Sequence, residues 1–138
     1  MPNLPLTGGC GCGAVRFEID QPLVGAVYCH CTRCQRRTGT GAAATALLRP
    51  GSLRILQGAE LLRDWRPAGG APKTFCSHCG SAVFARDRDS DEIAFVRLGA
   101  FDGDPGVRPL YRQYVNYAAV WEKTPDDGLP RYGEAAPA

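Results

Sequence analysis

Apolar and polar residues alternate over short distances along much of the chain. In "AVRFEI" (14–19), Val15, Phe17 and Ile19 are interleaved with Arg16 and Glu18, the period of a strand that buries one face. Similar runs follow in "AAATALL" (42–48), "LRIL" (53–56), "ELLRDW" (60–65), "SAVFA" (81–85), "EIAFVRL" (92–98) and "YRQYV" (111–115). Between them stand Pro50-Gly51, Gly58, "PAGGAP" and "DGDPG". These are turn formers, because proline presets its backbone and glycine accepts left-handed conformations. Short strands at this spacing predict a mainly β fold of folded antiparallel sheets, a sandwich or a barrel. No segment repeats another.

The same pattern predicts one short helix. Thr32 with Gln35 three residues later fits a capping box, and Gly39 stands where a left-handed C-cap would end a turn or two. Cys34 then falls in the first helical turn, where free N–H groups favour an anion and lower a thiol's pKa.

With 138 residues the chain is read as one domain, 1–138, large enough to bury roughly 68–70% of its unfolded surface. Its tail "GEAAPA" (133–138) offers nothing to bury and is expected to fray. A net charge of +2 and a pI near 8.2 speak against a nucleic-acid partner. "MPNLPLTGG" lacks the basic start and apolar run of a secretory signal, and no stretch has the length of a membrane span. A cytoplasmic protein with no membrane partner is expected. The Gly- and Ala-rich edges are compatible with a homodimer.

Seven cysteines change the picture. An odd number leaves one thiol over after pairing, and a reducing compartment discourages disulfides. All seven fall into three tight groups, "GGCGCG", "YCHCTRC" and "FCSHCG", whereas buried hydrophobic cysteines are usually scattered singly. Metal binding is the reading that accounts for the clustering. Cys76 and Cys79, followed by Gly80, have the spacing of a metal knuckle, and Cys10 with Cys12 is the closest pair left to complete four ligands. Such a closed set is structural: binding free energy becomes folding free energy, on the order of 10 kcal/mol in small zinc peptides. Cys29, Cys31 and Cys34 remain, and three protein ligands with an open fourth position is how catalytic zinc is built. Three thiolates on Zn²⁺ carry a formal charge of −1, which Arg33, Arg36 and Arg37 could offset, or those arginines could hold a substrate's carboxylates. His30 and His78 are assigned supporting or exposed roles, since the sulfurs already satisfy both sites. An iron–sulfur cluster is the competing reading; the knuckle glycine and the strand-rich context favour zinc.

The joint pattern C-x-C-G (10–13), C-H-C-x-x-C (29–34) and F-C-x-x-C-G-S (75–81) resembles the glutathione-dependent formaldehyde-activating enzyme family, or CENP-V/GFA domain, from about residue 8 to 132. "LGAFD" (98–102), Pro109, Trp121 and "DDGLP" (126–130) agree more loosely. The resemblance implies a mainly β, Mss4-like fold with one structural zinc, held by Cys10, Cys12, Cys76 and Cys79, and a second, exposed zinc at Cys29, Cys31 and Cys34. It implies a carbon–sulfur lyase that joins glutathione's thiol to formaldehyde, as an S-hydroxymethylglutathione synthase does. On that basis Cys29, Cys31 and Cys34 are the expected catalytic set, with Cys34 the most acidified, and Arg33, Arg36, Arg37 and Arg112 the expected substrate-binding residues. Two departures concern the substrate: Pro109-Leu110-Tyr111-Arg112 stands where many members carry P-x-x-H, and Lys73 where an arginine commonly precedes the knuckle. An imidazole able to move protons is thereby exchanged for a fixed cation. The alternative is a non-catalytic zinc scaffold or thiol carrier that binds a protein partner or glutathione.

Overall fold

A computed structural model describes residues 3–137; Met1, Pro2 and the last residue of the expected frayed tail lie outside the described residues. The chain runs β1 (Leu6–Gly9), β2 (Arg16–Ile19), β3 (Gly25–Cys29), α1 (Thr32–Thr38), β4 (Ala43–Leu47), β5 (Leu53–Gln57), β6 (Leu62–Trp65), β7 (Lys73–Cys76), β8 (Ala82–Arg86), β9 (Ile93–Arg97) and β10 (Pro109–Gln113), with single 3-10 turns at Ala59–Leu61, Leu98–Ala100 and Val115–Tyr117. The mainly β fold with one helix is as expected. The strands form a three-stranded sheet, β1-β2-β5, and a seven-stranded sheet, β10-β3-β4-β9-β8-β7-β6.

The core lies between these sheets. Val15, Phe17 and Ile19, the apolar positions of the alternating β2 segment, are at most 1% exposed. They pack with Ala46, Leu48, Val83, Phe84 and Val96 from the larger sheet. The Phe17 ring meets Phe101 edge-on, with centroids 6.0 Å apart, a favoured aromatic geometry.

Three strands have no clear period in the sequence, and all three carry cysteines into place. β1 is half glycine and ends just before Cys10; β3 ends at Cys29; β7 ends at Cys76. β3 is buried on both faces except at Tyr28, so it has no polar alternation to show. β7 buries Lys73 and Thr74, which hides its pattern for the opposite reason.

The pairing departs from an all-antiparallel sheet at one edge, where β10 runs parallel to β3 and sets Arg112 beside Tyr28 and Gln113 beside Cys29. Part of the tail is hydrogen-bonded to the end of β10 and the turn after it. Tyr114 N–H donates to Glu134 O at 3.0 Å, Asn116 N–H to Gly133 O at 3.2 Å, and Ala136 N–H to the Gln113 side chain at 3.1 Å. These bonds satisfy backbone groups of a segment with few apolar side chains to bury. No helix among the described residues is long and apolar enough to cross a membrane.

Candidate metal centres and the cationic cleft

Cys10, Cys12, Cys76 and Cys79 bring their sulfurs within 4.8 Å of one another. The chain reaches this point twice, each time through a tight turn closed by a glycine. Gly13 N–H donates to Cys10 O at 3.1 Å and Gly80 N–H to Cys76 O at 2.7 Å, and both glycines have positive φ, 78° and 79°, a conformation costly for any residue with a Cβ. Ser81 joins the two turns: its Oγ accepts from Gly11 N–H at 2.9 Å and from the Cys79 thiol at 3.3 Å. Sγ–Sγ separations of 3.5 Å (Cys10–Cys12) and 4.0 Å (Cys12–Cys76) bracket the roughly 3.8 Å expected of sulfurs placed tetrahedrally at Zn–S distances of about 2.3 Å. They are too long for disulfides, and all seven cysteines are free. The donor set fits zinc.

Cys29, Cys31 and Cys34 form the second group, also within 4.8 Å. β3 supplies Cys29, the first turn of α1 supplies Cys34, and Cys31 is the helix N-cap. This corrects the capping box: Cys31 Sγ, not Thr32, accepts the Cys34 N–H at 3.3 Å. Gln35 does not return to the cap, because its amide donates instead to His30 O at 2.7 Å and Tyr117 O at 2.8 Å. Gly39 does end the helix in the left-handed conformation, φ 70°.

Hydrogen bonds among the three sulfurs move their pKa values in different directions. Hydrogen bonds from Cys29 and then Cys34, with the N–H groups of Cys34 and Arg33, push Cys31 far below its ordinary value. Cys29 is pushed up by its bond to Cys31 and then by its bond to Cys34. Cys34, although its bond with Cys29 favours the thiolate, is raised overall by its bond with Cys31, burial and the Cys31 charge.

The expected arginines divide. Arg33, Arg36 and Arg37, with Thr32 and Trp65, line one cavity of about 480 Å³ that opens on helix residues flanking Cys31 and Cys34. Arg112 is placed otherwise. It is 6% exposed, donates through Nη2 (2.8 Å) and Nε (3.2 Å) to Asp127, and stacks 4.2 Å over the Tyr28 ring. Its fork is thus occupied within the protein, because the parallel β3–β10 register turns it inward. His30 is buried beside it, its imidazole pKa lowered by burial and then by Arg112. His78 is exposed. Neither histidine belongs to the sulfur groups found among the described residues.

Two further cations, Lys73, whose place the family commonly gives to arginine, and Arg97, stand near Cys34. Lys73 is 8% exposed; burial pushes its ammonium down, Cys34 opposes the shift, and Arg33, Arg97 and Arg37 add to it. Arg97 lies on β9 in register with Thr45, to whose hydroxyl it donates at 2.5 Å.

Comparison with known proteins accords with this geometry. Residues 5–117 match the family model for the glutathione-dependent formaldehyde-activating enzyme. A protein of Halomonas elongata, described as a putative glutathione-dependent formaldehyde-activating enzyme, is 30% identical over 105 residues, 72% of this chain and 67% of that protein. The crystal structure of a Rhodobacter sphaeroides protein covers 91% of this chain and 98% of its own, with 27% identity and a TM-score of 0.59. The chain belongs to the glutathione-dependent formaldehyde-activating enzyme family.

Proposed function

We propose that the protein is a zinc-dependent carbon–sulfur lyase that makes or breaks the adduct between a small thiol, glutathione or a relative of it, and an aldehyde such as formaldehyde. The observation that carries this reading is the contrast between the two sulfur groups: four donors close one, while the other offers three donors beside a cationic cavity. Family membership supports it, as does the description of the Halomonas elongata relative.

In this reading Cys10, Cys12, Cys76 and Cys79 hold a structural zinc, and Cys29, Cys31 and Cys34 hold the second. Zinc bound by three thiolates supplies an open position that favours a substrate thiolate and polarises a carbonyl oxygen. The protein's own residues do the rest. Arg33, Arg36 and Arg37 hold the carboxylates of the thiol compound, and Trp65 covers one side of the cavity. Arg112 and Asp127 keep the 29–31 turn in place from behind. In the forward direction a sulfur lone pair forms the carbon–sulfur bond as the carbonyl π pair moves to oxygen, and the proton lost by the thiol ends on that oxygen. The reverse breaks the same bond and returns the proton to sulfur.

Two-dimensional exchange NMR of glutathione with formaldehyde, with and without the metal-loaded protein, tests the proposal. Faster interconversion of free and adduct signals is expected, and it should vanish when Cys29, Cys31 and Cys34 are all replaced by alanine. Glutathione binding without faster exchange would replace the lyase by a thiol carrier.

A further inference from the structure

Arg37, Lys73 and Arg97 come from α1, β7 and β9 and line one narrow cleft with Thr45, Phe84 and Phe95. None of the three is ion-paired among the described residues, although Arg16, Arg54, Arg66, Arg88, Arg108 and Arg112 each are. Arg37 stacks against Phe75, 5.7 Å from the ring centroid, and its Nε and Nη2 are buried with no acceptor. Lys73 has Ala71 O as its acceptor at 2.8 Å, which leaves two of the three ammonium donors over. Buried donors of charged groups are rarely left unmet in native proteins.

The trio of thiolates does not balance this charge. Three thiolates around a divalent ion would leave −1 against three cations in the cleft, a surplus of positive charge that favours an anion. The shape of the cleft says which kind. It has room for about one water-sized group, about 10 Å³, too little for a phosphate or a whole substrate, so a carboxylate would place one oxygen in the cleft and its second on the side of Arg37 that faces the larger arginine cavity. Arg37 also lines the larger arginine cavity, so the organic remainder of such a ligand has somewhere to lie. A guanidinium fork suits a carboxylate better than it suits a spherical ion.

We propose that the cleft among Arg37, Lys73 and Arg97 is a binding site for a single carboxylate group. This deepens the functional reading above, in which the group would belong to the thiol substrate, but acetate alone tests it. In the metal-loaded protein, acetate titrated in chloride-free buffer should shift the Arg37 and Arg97 Nε–H resonances saturably, with a dissociation constant on the order of 1 mM. Arg97→Met and Lys73→Met should each weaken it by about tenfold, and Arg54→Gln, at an exposed position on the three-stranded sheet, should leave it unchanged.

Thiols then separate the sources of the carboxylate. In cobalt-substituted protein, 3-mercaptopropionate and cysteamine report thiol entry through the visible spectrum. Competition by acetate against the former but not the latter assigns the cleft to the substrate's own carboxylate. Acetate binding without competition assigns it to a free small carboxylate. Absence of saturable shifts in the wild-type protein overturns the site, whatever the thiols do, and needs no variant to fold. If acetate binds but neither thiol alters the cobalt spectrum, the site stands and the thiol-handling reading falls.

Discussion

Nη1 of Arg112 lies 3.2 Å from Nε2 of His30, the residue between the first two cysteines of the trio. The same guanidinium reaches Asp127, and the backbone around it is tied on both sides: Arg112 N–H donates to Pro130 O, Tyr132 N–H to Arg112 O, and His30 N–H to Gln113 O. The C-terminal segment is thereby connected through one buried side chain to the turn that presents Cys29 and Cys31. Arg112→Met should destabilise the fold by about 2 kcal/mol by removing those buried bonds. It should also loosen the trio's metal by about tenfold, as loss of a supporting contact commonly does. Competition with a chromophoric chelator measures the second effect. Arg112→Lys should not restore it, since an ammonium cannot span His30 and Asp127 together; full recovery by lysine would show that charge alone matters.

The two sulfur groups should respond differently to metal removal. Cys76→Ser strikes a buried member of the quartet that anchors β7 to the turn beyond β1, and is expected to yield largely unfolded protein, because metal binding and folding are one event at such a site. Replacing Cys29, Cys31 and Cys34 together by alanine should leave the circular dichroism spectrum near that of the wild type and remove one metal equivalent. Elemental analysis alongside thermal melting checks both, and equal loss of fold in the two variants would contradict the division of roles.

Asp102 joins Arg16 of β2 and the Thr7 hydroxyl of β1 (2.6 Å) to the segment after Leu98–Ala100. The Arg16 hydrogen bonds first, then that of Thr7, hold its carboxyl at about 2. A depressed carboxylate pKa means that the unfolded chain binds the proton more readily. The contribution is therefore complete above the unfolded value of about 4 and is lost as pH falls toward 2. The difference in melting temperature between wild type and Asp102→Asn should stay flat from about pH 8 to 5 and narrow only below about pH 4. Narrowing at neutral pH would mean that another group governs the difference.

Gly8 permits the close approach of β1 to the 98–101 segment. A Cβ there would stand 2.3 Å from Ala100 O and 2.6 Å from the Phe17 ring, and a backbone oxygen cannot rotate away. Gly8→Ala should cost about 2 kcal/mol, in the range of overpacked cores. The cavity of about 370 Å³ lined by Cys10, Arg16, Arg97 and Asp102 should change shape with it. Denaturant unfolding gives the energy; a value near zero would mean that β1 shifts freely.

What could be read along the chain was what depends on near neighbours. The alternation in 14–19 and 92–98 marked strands because a side chain's face follows from its parity. The spacing of Cys76, Cys79 and Gly80 marked a knuckle because a tight turn is a local object. Even the split of sulfurs into four and three followed from valence and counting. Tertiary structure decided the rest, since it depends on which distant strands become neighbours. The parallel β3–β10 register turned Arg112 inward onto Tyr28 and His30, and no alternation of its own segment records that pairing. Lys73 and Arg97 meet Arg37 only because α1 packs against β4, in the same sheet as the strands that carry them. Long flexible cations join sites through reach and register, and neither is written in the order of the residues.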